Sequence, residues 1–147
     1  MSGPVHGSAL LVGERGVLIR GPSGSGKSAL LLALLDRHPG ASWLIADDRV
    51  ILTSSRGRLV ASVPATIAGR MEIRGQGIVS REHVSPALIG LVVDLKRLGE
   101  CPRLPSPEEA IATLEGVALP RLILPIGSYD GTLRVAAAIA RLGQGRA

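Results

Sequence analysis

The stretch Gly21-Pro22-Ser23-Gly24-Ser25-Gly26-Lys27-Ser28 decides the fold. It satisfies the pattern G-x-x-x-x-G-K-[ST] at every fixed position. A strand-like run (17–20) precedes it, and Leu30, Leu31, Leu34 and Leu35 follow at helical spacing. Glycines let a backbone wrap a phosphate chain with its N–H groups pointing inward, and a helix N-terminus adds the positive end of its dipole. Lys27 is then placed to reach β- and γ-phosphates, and Ser28 to offer its hydroxyl to Mg²⁺. The competing reading is a Gly/Ser turn that merely caps a helix, which the strand–loop–helix context disfavours. The motif names no reaction, because GTPases, ATPase machines and small kinases share it.

Working outward, residues 5–12 and 17–20 read as strands joined by a tight Gly13-Glu14-Arg15-Gly16 turn. The helix over 27–37 stops at His38-Pro39-Gly40. A short buried strand over 43–46 ends on Asp47-Asp48, and 50–53 with 59–63 form a hairpin. Residues 64–70 suit a short helix, and Gly75-Gln76-Gly77 a mobile loop. The run 88–95 is the strongest strand of the second half, and the Pro-rich stretch 101–107 is irregular. Short strands are expected over 117–119 and 122–124, and an Ala-rich helix over 131–142. Hairpins mixed with a strand–loop–helix unit predict an α/β fold with a mixed sheet, in a single domain over residues 1–147.

A chain of 147 residues suffices for one domain with a real core. That core is aliphatic, since Phe is absent and Trp43 and Tyr129 are the sole Trp and Tyr. The same shortage leaves no aromatic platforms for stacking bases, so nucleic acid is not an expected partner. The net charge of +5 is scattered and forms no basic arm, so it reads as a solvated surface. One cysteine, Cys101, suits a reducing compartment. The apolar stretch 9–12 breaks at Gly13-Glu14-Arg15, unlike a signal peptide, and no run approaches membrane-spanning length. The expected location is the cytoplasm.

A P-loop enzyme needs further acids to hold Mg²⁺ or to position the nucleophile. Asp47 and Asp48 end a strand, where α/β sites form, although a polar pair also suits a plain turn. Glu72 precedes Arg74-Gly75-Gln76-Gly77, and its bland alternative is a solvated helix end. Asp94 closes Leu91-Val92-Val93 as a Walker B acid would, or as a surface acid at a strand end. His6 is either a core histidine or a side chain facing the site, and Arg74 either a surface charge or a phosphate clamp.

Four segments in order carry a resemblance: Val5-His6-Gly7, the 21–28 loop, Leu44-Ile45-Ala46-Asp47-Asp48-Arg49-Val50, and Met71-Glu72-Ile73-Arg74-Gly75-Gln76-Gly77-Ile78. With Gly116-Val117-Ala118-Leu119-Pro120-Arg121, they make the chain resemble the catalytic C-terminal domain of the HPr kinase/phosphorylase family, in a short form without the N-terminal domain. Departing from the family, Ile126-Gly127-Ser128-Tyr129-Asp130 has no basic loop after Pro125. The resemblance implies a P-loop protein-serine kinase that uses ATP and Mg²⁺ on the phosphocarrier protein HPr. Inorganic phosphate would reverse the transfer with formation of pyrophosphate, and a homo-oligomer is compatible.

By the same resemblance, Asp47 is the general base, Asp48 a supporting acid, and His6 the histidine beside them. Glu72 joins Ser28 at Mg²⁺, and Arg74, Gly75 and Gly77 form a signature loop near the protein substrate. An active-site arginine falls on Arg103 (Arg-Leu-Pro) by its distance to Val117, ahead of Arg97 (Arg-Leu-Gly), while Asp94 recedes to its structural reading. Two rivals stand beside this. One is a P-loop kinase or NTPase with a small-molecule or water acceptor. The other is a non-catalytic nucleotide-binding regulator.

Overall fold

A computed structural model describes residues 3–144, so the outermost residues of the domain expected over 1–147 lie outside the described part. In chain order the elements are β1 (Val5–His6), β2 (Ser8–Val12), β3 (Arg15–Arg20), α1 (Lys27–Arg37), β4 (Ser42–Ala46), β5 (Arg49–Ser55) and β6 (Arg58–Ser62). They continue with β7 (Arg70–Ile73), β8 (Gly77–Ser80), β9 (Ala87–Lys96), β10 (Ile111–Leu114), β11 (Val117–Pro125) and α2 (Gly131–Gln144). Short 3-10 turns occupy Ala65–Ile67 and Leu98–Glu100.

β9 organises the sheet. Its run Leu91-Val92-Val93 is buried on both faces, which a strand tolerates only in the middle of a covered sheet. Its first residues pair antiparallel with β6, its middle pairs parallel with β3, and its end pairs parallel with β11. Beyond β3 lie β2 and then β4, while β5 and β1 continue outward from β6. Parallel and antiparallel ladders thus coexist, and the fold is the expected α/β architecture with a mixed sheet.

Period-two alternation along these strands makes two cores. Leu10, Val17, Ile19, Leu91 and Val93 face one side, where Leu31, Leu34 and Leu35 of α1 and Val135 of α2 cover them. Ala9, Leu18 and Val92 face the other, packed with Val50, Leu52 and Leu59 of the β5–β6 hairpin. Arg56 and Gly57 close that hairpin with φ of 53° and 75°, the left-handed pair that a type I′ turn demands. α1 ends as its sequence indicates: the Ser42 hydroxyl donates to the carbonyls of Leu35 (3.1 Å) and His38 (2.8 Å), replacing lost helical donors.

The structure departs from the sequence expectation in several places. The helix expected over 64–70 is only the 3-10 turn Ala65–Ile67, and Arg70 already begins a strand. The segment expected as a mobile loop around Gly75 is the turn of the β7–β8 hairpin, closed by the Gln76 N–H donating to the Ile73 carbonyl at 2.9 Å. The two short strands expected around Pro120 are one strand. Its first half, up to Pro120, pairs with β10 and its second with β9, so the proline falls where the partner changes.

Candidate active site

The 21–28 loop runs from the end of β3 into the first turn of α1, as the motif requires. Gly24 and Gly26 adopt φ of 79° and 96°, which side-chain-bearing residues avoid. Gly26 is the N-cap and no side chain caps the helix, so the first-turn N–H groups are left for an anion. The buried Lys27 curls back along the loop, its ammonium donating to the carbonyls of Gly21 (2.9 Å) and Pro22 (3.1 Å).

Three donors converge on Asp47, which is only 6% exposed. Its Oδ1 accepts the hydroxyls of Ser28 (2.7 Å) and Ser8 (3.0 Å), and its Oδ2 accepts the Glu72 N–H at 3.3 Å. Ser28 and Asp47 are thus joined across β3 and β4, the pairing by which a P-loop hydroxyl and a strand-end acid share a metal. Asp48 lies in the left-handed region at φ 71°, a conformation that Asp tolerates better than most residues. The turn separates the two neighbouring acids. Asp47 stays inside while the Asp48 side chain is 66% exposed. His6 Nδ1 lies 3.7 Å from Asp48 Oδ1, beyond hydrogen-bond length, at the mouth of the site.

The β7–β8 hairpin supplies the opposite wall. Met71 inserts into the core beneath α1 and anchors it. Glu72, Ile73 and Arg74 then face Ser23, Lys27, Ser28 and Asp48 around a cavity of about 390 Å³. The structure therefore brings together the phosphate loop, Asp47, Asp48, Glu72 and Arg74, with His6 at the rim. Gly75 and Gly77 sit in the hairpin turn at φ of 86° and 94°, beyond the cavity lining.

Arg103 is not brought there. It is exposed on the irregular stretch that leaves the sheet after the 3-10 turn Leu98–Glu100. The parallel pairing of β3 with β9 carries the end of β9 to the loop, so Arg97 is the arginine that lines a cleft with Gly21 and Pro22. It also pairs with Glu100 at 3.2 Å. Spacing along the sequence could not show this, because the position of Arg97 follows from β9 pairing with β3 and not from its distance to Val117.

Asp94 is neither at the metal site nor on the surface. It is buried at the end of β9, where Arg20 grips it bidentately (Nε and Nη2, 2.8 Å each) and Arg121 Nε adds a third bond at 2.6 Å. Burial raises its pKa, but the hydrogen bonds and charges of the two arginines outweigh this and hold the carboxyl below its ordinary 3.8. Arg20 immediately precedes Gly21, so this triad fixes the root of the phosphate loop to the sheet. Asp94→Ala leaves two guanidinium groups facing each other and is expected to cost about 2–4 kcal/mol, read as a lower denaturation midpoint. The stabilisation is present above the unfolded pKa and lost as pH falls through the lower folded value. Wild type and variant should therefore converge only below about pH 4.

Three residues in or beneath the site were not singled out in the sequence. Ser8 orients Asp47 and also accepts the Asp48 N–H at 3.4 Å; its signal was a lone hydroxyl at the head of the apolar run Ala9-Leu10-Leu11-Val12. Arg20 and Arg121, which both donate to Asp94, had none, because the three residues are brought together only by strand order.

A family model described as the HPr Serine kinase C-terminal domain matches residues 2–141. The chain belongs to that family. Relatives named HPr kinase/phosphorylase include one from Clostridium tetani, 39% identical over 97 residues, covering 65% of this chain and 30% of its own. Others are from Geobacillus thermodenitrificans, 37% identical over 133 residues (83% and 42%), and Chlorobaculum tepidum, 35% identical over 134 residues (82% and 38%). The chain spans less than half the length of these curated relatives. The solved Hpr(Ser) kinase/phosphatase from Coxiella burnetii superposes with a TM-score of 0.81 over 98% of both chains at 24% identity, a likeness of fold. The family's fold is therefore the one described above.

Proposed function

We propose that this chain is the catalytic domain of an ATP-dependent protein-serine kinase acting on an HPr-like phosphocarrier protein, with phosphorolysis by inorganic phosphate as the reverse reaction. The observation that carries the reading is the shared cavity: an uncapped helix N-terminus with Lys27, Ser28 and the nearby Asp48, faced by Glu72 and Arg74 of the hairpin. A nucleotide's phosphates fit the first set. Among the described residues no group of three or more His, Cys, Asp or Glu is placed to hold a metal alone. That suits Mg²⁺, which keeps waters and binds through one or two carboxylates together with phosphates. Ser28, with Glu72 or Asp47, would hold it, and there it would neutralise charge on the β- and γ-phosphates.

Transfer makes a bond from the acceptor serine oxygen to the γ-phosphorus and breaks the bond to the β–γ bridging oxygen. The serine proton passes to a carboxylate. Asp47 as that base is supported by its place against Ser28. A second assignment is favoured by exposure: Asp48 is the carboxylate that lines the cavity, whereas Asp47 has both oxygens engaged. Asp47 would then orient Ser28, and Asp48 would take the proton. Lys27 and Arg74 supply positive charge to the transferring group, with Arg97, nearer the loop than Arg103, as a further cation. Among the described residues no helix is long and apolar enough to cross a membrane. A cytoplasmic setting and a homo-oligomer belong to the proposal.

The test is transfer from labelled ATP with Mg²⁺ to HPr, followed by a chase with inorganic phosphate. Label on an HPr serine, released as pyrophosphate in the chase, is the expected result. ATP consumption without protein label would favour a small-molecule or water acceptor, and binding without consumption a regulatory module. Glu72→Gln is expected to raise the Mg²⁺ concentration needed for half-maximal transfer by about tenfold, one carboxylate ligand being lost. An unchanged metal titration would remove Glu72 from the metal site.

A further inference from the structure

A second cavity, of about 230 Å³, opens on the other flank of α1, between that helix and the start of α2. Ser25 and Gly26 of the phosphate loop form its near end, so it is continuous with the place where the phosphates would sit. Its walls are Ala29, Leu30 and Ala33 on one side and Thr132 on the other, over the ends of β9 and β11. None of its lining residues is ionisable, in contrast to the first cavity with Lys27, Asp48, Glu72 and Arg74. Ser25, 5% exposed, has a buried hydroxyl with no hydrogen-bond partner among the described residues. A buried hydroxyl left unmet is a standing cost that a bound polar group removes.

A nucleotide whose phosphates rest on the α1 N-terminus must lead its sugar and base off one flank of that helix. The flank with the acids is needed for the metal and the acceptor hydroxyl. The neutral flank offers an apolar slot of the kind that takes a flat heterocycle. We propose that the α1–α2 cleft seats the base and ribose of the nucleotide, with Ser25 supplying a hydroxyl at the sugar end. This deepens the proposed nucleotide site and rests on it.

The experiment compares calorimetric binding of Mg²⁺-ATP and Mg²⁺-tripolyphosphate to the wild type, Ala33→Trp and Thr132→Trp. An indole at either position projects into the slot from one of its two walls, and neither residue belongs to the phosphate loop. The wild type should bind ATP at least about tenfold more tightly than tripolyphosphate. Each variant should lose about tenfold toward ATP while holding tripolyphosphate within about twofold, which also certifies that it is folded. If one variant fails to fold, the other carries the comparison. ATP bound as tightly by a folded variant as by wild type, or equal wild-type affinities for the two ligands, would overturn the cleft assignment alone. Failure of the wild type to bind either ligand would overturn the phosphate-loop reading together with it.

Discussion

Lys27→Ala is expected to abolish productive use of ATP, lowering phosphoryl transfer to HPr by roughly 10³-fold or more. Removing one preorganised donor from a charge-developing centre costs 10²–10³ in rate, and this donor also carries a full charge. The ammonium lies along the loop, bonded to the Gly21 and Pro22 carbonyls, so it is held where β- and γ-phosphates would meet it. The alanine variant loses that cation and leaves the two carbonyls without their donor. Transfer from labelled ATP measures the effect, and circular dichroism checks that the sheet is intact. Normal transfer by a folded Lys27→Ala protein would sink the assignment of residues 21–28 as a phosphate site.

The second large effect is expected at Asp47. Asp47→Asn should lower transfer by roughly two to four powers of ten while nucleotide binding persists. The native carboxylate accepts from three donors, two hydroxyls on Oδ1 and the Glu72 N–H on Oδ2. An amide retains one acceptor oxygen and turns a donor toward at least one of these partners. The companion variant, Asp48→Asn, separates the two assignments of the base. If Asp48 takes the serine proton, Asp48→Asn lowers transfer with the Mg²⁺ dependence unchanged, and Asp47→Asn instead shifts the metal titration. If Asp47 takes it, the two outcomes exchange. Full transfer by Asp47→Asn would leave a nucleotide-binding regulator as the better reading.

Much of the site was legible because local order carries it. The 21–28 loop states its own conformation, and α1 runs over the residues that its leucine spacing and His38-Pro39-Gly40 predict. Asp47-Asp48 and Glu72-Ile73-Arg74 could be singled out as short signatures. What was missed depends on strand order and on register. Ile111–Leu114 is a strand only because β11 pairs with it through the left-handed Glu115-Gly116 turn. The Gly75 segment reads as a loop from its glycines. It becomes a hairpin because Met71 is buried under α1 and the Glu72 N–H reaches Asp47. Counting along the chain favours Arg103 over Arg97, whereas proximity to the loop is set by β9 lying beside β3. From the sequence Asp94 reads as a Walker B acid or as a surface acid at a strand end, and only the adjacency of β3, β9 and β11 surrounds it with arginines.

The central position of β9 also bears on how such a chain is made. β3 has one neighbour close in sequence, β2, and another that arrives much later: Arg20 and Asp94 are 74 residues apart. As a nascent chain lengthens, the β2–β3 and β5–β6 hairpins close locally, but one edge of β3 stays without a partner until β9 has been synthesised. Non-local pairing of this kind is the slow part of folding and the stage most open to wrong partners. The phosphate loop is thus translated well before it is held in shape, since the triad at its root is not complete until Arg121 joins.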